Sequence, residues 1–267
     1  MLIDTSKTKI SAKSFYKDKE IPFFFIHGFT GSYKSWLEII DLLRKHSYAI
    51  DIPGHGNSKF KNLNEAYNIS DWCSEFYMLL YSLGINKINL CAYSMGGRLA
   101  IAFASKYPEK INSLILESTN IGLEDEEERN SRYSLDRENV HSILEDLPSF
   151  MDSWNKNKLF LNQKKRNKKS WEEQKEIRDN HNSQQLAKSL QTFSLGGMPY
   201  YETEFQEFSF PISIINGSED EKYIKIGKEM TRMNQNATQY IIKDAIHNTH
   251  LEAPELFIDA LKGTVYE

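Results

Sequence analysis

Six short apolar runs, rich in β-branched and aromatic residues and separated by helix-length segments, constrain this chain more than any other feature. They fall at residues 21–26, 48–52, 88–92, 111–116, 212–215 and 239–242. Runs that are apolar on both faces read as strands buried in a parallel sheet, because crossover helices cover both sides of such a sheet. Helical segments fall between them, at 34–45, 70–83, 95–106 and 222–233, with a last one at 254–262. This alternation predicts an α/β fold with a doubly wound, mostly parallel sheet flanked by helices. Residues up to Tyr16 carry a weaker pattern that suits an antiparallel edge hairpin.

From residue 121 to 205 the strand pattern stops. The sequence there is polar, charged and helical, with Trp154 and Trp171 as isolated anchors. The chain therefore divides into a first core part (1–120), an inserted helical cap (121–205) and a second core part (206–267). A length of 267 residues suits one core with such an insertion. Charge runs at 124–128 and 164–169 read as solvated helix faces or ends. With no Pro- or Gly-rich linker, the cap is expected to pack on the sheet and the substrate to bind in the seam.

The net charge of −4 gives no field that would gather nucleic acid or an anionic membrane. Asp4, Lys7 and Lys9 interrupt the opening residues, and no run approaches the roughly 18 apolar residues of a membrane span. A cytoplasmic protein is expected, with Cys73 and Cys91 kept as thiols. Subunit number stays open between a monomer and a weak homo-oligomer.

The chemistry centres on Tyr93-Ser94-Met95-Gly96-Gly97-Arg98, which joins the strand at 88–92 to the helix that follows. A strand, a tight turn and a helix put Ser94 at the carboxyl edge of the sheet. Small residues two before and two after the serine, here Ala92 and Gly96, let strand and helix approach closely. A serine nucleophile needs a base, and the base needs a carboxylate to orient it, in the chain order Ser, acid, His. Asp220 follows the strand at 212–215, flanked by the rival acids Glu219 and Glu221, and His247 follows the strand at 239–242 with His250 as rival base. Behind the first long strand, His27-Gly28-Phe29-Thr30-Gly31 can point backbone N–H groups at a developing oxyanion. Phe29 and Met95 are the expected donors. The turn-rich block from Asp51 to Ser58 reads as structural. No metal-ligand spacing or phosphate-cradling glycine loop occurs, so neither metal nor cofactor is expected.

These motifs together resemble the α/β-hydrolase superfamily over nearly the whole chain. Within it, Tyr93 to Arg98 and His247-Asn248-x-His250-x-Glu252-x-Pro254 are similar to the 2-succinyl-6-hydroxy-2,4-cyclohexadiene-1-carboxylate synthase branch of menaquinone biosynthesis. The resemblance implies a lyase that removes a proton and expels pyruvate from 2-succinyl-5-enolpyruvyl-6-hydroxy-3-cyclohexene-1-carboxylate. It further implies that Tyr93, Arg98, Arg132, Trp154 and Arg178 face this polycarboxylate substrate, with Arg129 or Arg137 as register alternatives to Arg132. Ala92 in place of the first elbow glycine, and Ile246 where the branch usually has glycine before the histidine, are departures. A carboxylester hydrolase and a silent ligand-binding module are the competing readings; an apolar acyl slot or a broken triad would favour them.

Overall fold

The computed structural model describes residues 1–160 and 163–266. Among these, nine strands form one sheet: β1 (Leu2–Asp4), β2 (Thr8–Phe15), β3 (Phe23–Ile26), β4 (Ser47–Ile50), β5 (Lys59–Phe60), β6 (Ile88–Tyr93), β7 (Ile111–Glu117), β8 (Ile212–Gly217) and β9 (Ala237–Ile242). Their order in space is β1-β2-β4-β3-β6-β7-β8-β9, with the short β5 paired to β2. The six strands from β4 to β9 along this order are parallel, while β2 runs antiparallel to β1, β4 and β5. All six strands anticipated from the apolar runs are in this sheet, and the opening segment supplies the antiparallel edge. Every residue of β3, β6 and β8 is buried. Both faces of these strands lie under helices, which is why their sequences show no polar alternation.

The helices are α1 (Leu37–Leu43), α2 (Ile69–Ser82), α3 (Met95–Lys106), α4 (Glu126–Glu145), α5 (Leu147–Trp154), α6 (Gln163–Arg166), α7 (Lys168–Asp179), α8 (Ser183–Thr192), α9 (Glu202–Glu207), α10 (Glu221–Met233), α11 (Thr249–Glu252) and α12 (Pro254–Tyr266). On one face α2, α3 and α10 pack through Trp72, Phe76, Phe103 and Met230. On the other, α1 and α12 pack through Ile39, Ile40, Phe257 and Leu261 around Trp36. The segment expected as one helix at 34–45 is a 3-10 turn, Tyr33–Trp36, followed by α1. Ser32 caps the turn, and Arg44 ends α1 in the left-handed region at φ 50°. The first long strand starts at Phe23, after Pro22, which has no N–H to give a ladder. The two-residue β5 is too short to leave a periodic signal.

Helices α4 to α9 lie between β7 and β8, and Ile143, Phe150, Met151, Leu186, Ala187 and Leu190 form a small apolar cluster of their own. Helix α4 buries only Asp136 and Ile143 among its 20 residues. The acidic run there begins α4 behind the Asp125 cap, where negative charge suits the helix dipole. Lys168 and Lys169 stand exposed on α7, near Glu172 and Glu173 one turn on.

Candidate active site

Ser94 sits between β6 and α3 with φ 51° and ψ −113°. A non-glycine residue held there is strained, and the contacts around it show what holds it. A Cβ on Gly96 would come within 2.3 Å of the His27 carbonyl oxygen, so only glycine lets α3 lie this close to β3. The Ser94 N–H donates to the Glu117 carbonyl at 2.9 Å, and the Thr119 hydroxyl donates to the Ser94 carbonyl at 2.8 Å. Ala92 stays in register with Ile26 and Leu116, so its methyl is accommodated without breaking either ladder.

The carboxyl ends of β8 and β9 deliver the other two residues. His247 Nδ1 lies 2.8 Å from Asp220 Oδ2, and its Nε2 lies 3.3 Å from Ser94 Oγ. A carboxylate only accepts, so Nδ1 carries the proton and Nε2 is left to accept from the serine hydroxyl. Asp220 and His247 are buried; the Tyr223 and Tyr93 rings pack against the imidazole, with centroids 4.7 and 5.3 Å away. Of the rival acids, Glu219 pairs with Arg166 and Glu221 is exposed at the start of α10. His250, the rival base, donates to Glu117 Oε2 at 2.6 Å and stacks on Trp36. The Ile246 N–H donates to Glu252 at 3.0 Å, so the non-glycine residue before His247 is bonded in place.

The loop from Gly28 to Gly31 faces Ser94 and is held by three histidines. His27 Nε2 accepts from the Ile52 N–H and its Nδ1–H donates to the Gly28 carbonyl; His55 Nε2 accepts from the Thr30 N–H, and His181 Nε2 bonds the Thr30 carbonyl. Burial lowers His27 to about 4, so the ring is neutral and can accept. Among the described residues, the Phe29 and Met95 N–H groups take no part in the hydrogen bonds of the loops. Asp51, at the head of the turn-rich block, accepts from the Tyr33 and Asn57 N–H groups, which is a structural use of it.

A cavity of about 650 Å³ opens over Ser94 and His247 between the sheet edge and helices α4, α5 and α8. Phe29, Tyr93, Met95, Arg98, Arg132 and Trp154 all line it. Trp154 is anchored by its Nε1–H on Thr30 Oγ1 at 3.1 Å. Arg98 is buried and, among the described residues, bonded only to the Met198 sulfur and the Phe193 carbonyl, and burial followed by the Arg132 charge lowers it to about 10. Among the described residues no ion pair neutralises it. Arg132 is tied through Nε alone to both oxygens of buried Asp136, at 3.0 Å each. Arg178 departs from expectation, because it borders a separate void of about 20 Å³ behind Phe29, Tyr93 and Phe160. There it lies 4.3 Å from the Phe160 ring and donates to Asn155 at 2.7 Å. Asp136 and Tyr223 also line the cavity and were not among the residues expected there. Asp136 had a usable signal, its position four residues after Arg132 on a helix.

The fold and this arrangement at the carboxyl edge of the sheet define the class. The chain belongs to the α/β-hydrolase family, whose model matches residues 21–254. A Bacillus subtilis (strain 168) protein named "Putative 2-succinyl-6-hydroxy-2,4-cyclohexadiene-1-carboxylate synthase" is 34% identical over 234 residues, 87% of this chain and 85% of that one. The 2-succinyl-6-hydroxy-2,4-cyclohexadiene-1-carboxylate synthase of Enterobacter sp. (strain 638) is 28% identical over 86% of each chain. The solved structure of MenH from S. aureus superposes with a TM-score of 0.89 at 25% identity, covering 96% of this chain and 97% of that one. An enol-lactonase from Burkholderia xenovorans LB400 shares the fold at 17% identity, with a TM-score of 0.82 over 97% of each chain. Among the described residues no helix is long and apolar enough to cross a membrane.

Proposed function

We propose that this enzyme is a carbon–oxygen lyase that eliminates pyruvate from 2-succinyl-5-enolpyruvyl-6-hydroxy-3-cyclohexene-1-carboxylate, the chemistry implied by the resemblance of its motifs and supported by relatives named as 2-succinyl-6-hydroxy-2,4-cyclohexadiene-1-carboxylate synthases. Ser94, His247 and Asp220 form the catalytic triad, and helices α4 to α8 form a cap over it. His247 takes the Ser94 proton as Asp220 stabilises the imidazolium, and the serine oxygen removes a ring proton from the substrate. The C2–H electron pair becomes the C2=C3 double bond, the existing C3=C4 pair shifts to C4=C5, and the C5 bond to the enolpyruvyl oxygen breaks. The departing enolate then gains a proton and leaves as pyruvate. The Phe29 and Met95 N–H groups stabilise the negative charge that builds up as the proton departs.

The observation that carries this reading is Arg98, a buried guanidinium that among the described residues has no carboxylate partner, in the cavity that holds Ser94. A buried cation with no carboxylate in contact, and with the nearby Asp136 charge already engaged by Arg132, is costly, so the site is poised for an anionic ligand. Arg132, fixed by Asp136 through Nε, presents its terminal nitrogens to a second carboxylate. Incubation with the enolpyruvyl cyclohexene substrate is expected to release pyruvate. Turnover of simple aryl esters without pyruvate release would instead make the chain a carboxylester hydrolase.

A further inference from the structure

Arg166 lies at the end of α6, away from the cavity, and joins the two loops that carry the triad acid and base. Its two terminal nitrogens reach different carboxylates: Nη2 lies 2.5 Å from Glu219, the residue before Asp220, and Nη1 lies 2.6 Å from Glu252. Glu252 in turn accepts from the Ile246 N–H, immediately before His247, at 3.0 Å. The Glu252 side chain is fully buried, and burial raises its pKa, so an adjacent guanidinium matters for keeping it ionised. The Glu219 N–H donates to the Ala245 carbonyl, which ties the two loops directly, and Asn167, next to Arg166, donates to the Leu251 carbonyl at 3.0 Å. One short stretch of the cap thus grips the chain on either side of His247 and just ahead of Asp220.

We infer that Arg166 is a positioning residue that couples seating of the cap to the geometry of the triad. A forked guanidinium suits this task, since its planar nitrogens hold two carboxylates at a fixed angle, whereas an ammonium is a single point of charge. With Arg166 in place, the Asp220 and His247 loops are held together and the His247 ring faces Ser94. Without it, Glu252 is left buried with an uncompensated charge, and the carboxylate that accepts from the Ile246 N–H is no longer held in place.

The inference rests on the triad reading above but not on the identity of the substrate, so a small fluorophosphonate that modifies Ser94 is a suitable probe. The unsubstituted chain should be labelled at Ser94. Arg166→Ala should be labelled about a hundredfold more slowly, the scale on which a misplacement of about 1 Å acts. The low-field proton resonance of His247 Nδ1–H should shift or broaden in the same variant. Arg166→Lys keeps a charge at one carboxylate and should fall between the two; it also carries the test if Arg166→Ala does not fold. A role confined to docking the cap would lower the melting temperature but leave labelling and the low-field proton as they were. That result, in a folded variant, would overturn the inference and leave the triad standing. An unsubstituted chain that is not labelled at Ser94 would overturn the triad reading and this inference with it.

Discussion

His247 and His250 lie three positions apart, and both imidazoles are 1% exposed with Nδ1 on a buried carboxylate, at 2.8 Å to Asp220 and 2.6 Å to Glu117. By their first partner the two pairs are nearly the same object. They differ at the other ring nitrogen. His247 Nε2 meets the Ser94 hydroxyl at the floor of a 650 Å³ cavity, whereas His250 Nε2 has no hydrogen-bond partner among the described residues and its ring is stacked 4.1 Å from Trp36. Glu117 is also bound by the Thr249 hydroxyl and the His250 N–H, and its own carbonyl holds the Ser94 N–H. On the proposed function, one pair moves a proton, while the contacts of the other fix the chain around the elbow. A histidine and a carboxylate in contact do not make a catalytic site unless the far nitrogen faces a reactive group with room for a substrate.

Substitutions at the two pairs test this contrast, and the largest effect is expected where the proton moves. Ser94→Ala should lower kcat for pyruvate release by on the order of 10⁶-fold, because triad members act as a unit, and should leave the melting temperature nearly unchanged, since alanine keeps the Cβ and with it the strained backbone. Asp220→Asn should lower kcat by on the order of 10⁴-fold by favouring the wrong His247 tautomer. Steady-state pyruvate assays measure both. Activity near that of the parent in either variant would break the assignment of roles.

Arg98→Ala should lower kcat/KM by about a hundredfold, equivalent to about 3 kcal/mol for losing a buried charged contact with a carboxylate, without abolishing turnover. Unchanged kinetics there would remove the polyanion argument. Glu117→Gln should do the reverse. Chemical denaturation should show a loss of about 2 kcal/mol, since one of three donors to the carboxylate loses its acceptor, while kcat stays within about threefold of the parent. A catalytic collapse in Glu117→Gln with unchanged stability would mean that the second pair has been misread.

Much of this was legible in the sequence because it rests on local rules. The six buried strands announce themselves as apolar runs, and the elbow shows in Ser94 followed by Gly96. The chain order of Ser94, Asp220 and His247 is fixed by which strand ends lie side by side in a parallel sheet. What stayed hidden depends on contacts between distant segments. No spacing distinguishes His247 from His250; that choice is made by Glu117 and Trp36, which are remote in sequence and adjacent in space. Arg178 is equally plausible on a helical wheel, yet the Phe29, Tyr93 and Phe160 rings place it one layer behind the cavity. The four-residue α6 carries no periodic signal, so Arg166 read as part of a solvated basic run.

The smallest effect concerns His27, which unlike the two pairs has no carboxylate and so tests what the missing acid does to a buried imidazole. Its Nε2 accepts from the Ile52 N–H and its pKa is lowered to about 4 by burial, against an ordinary histidine value near 6.5. As the pH falls below about 6.5 the unfolded chain gains a proton that folded His27 refuses, so stability is complete above that value and declines down to about 4. One such group contributes a slope of at most about 1.4 kcal/mol per pH unit. His27→Gln removes this titration, so denaturation between pH 4.5 and 6.5 should show a dependence shallower by up to one proton; His55, also lowered by burial, keeps part of the remainder. A slope unchanged by His27→Gln would show that the ring is not held neutral, and that the loop carrying Phe29 is secured by something other than the acceptor nitrogen of His27.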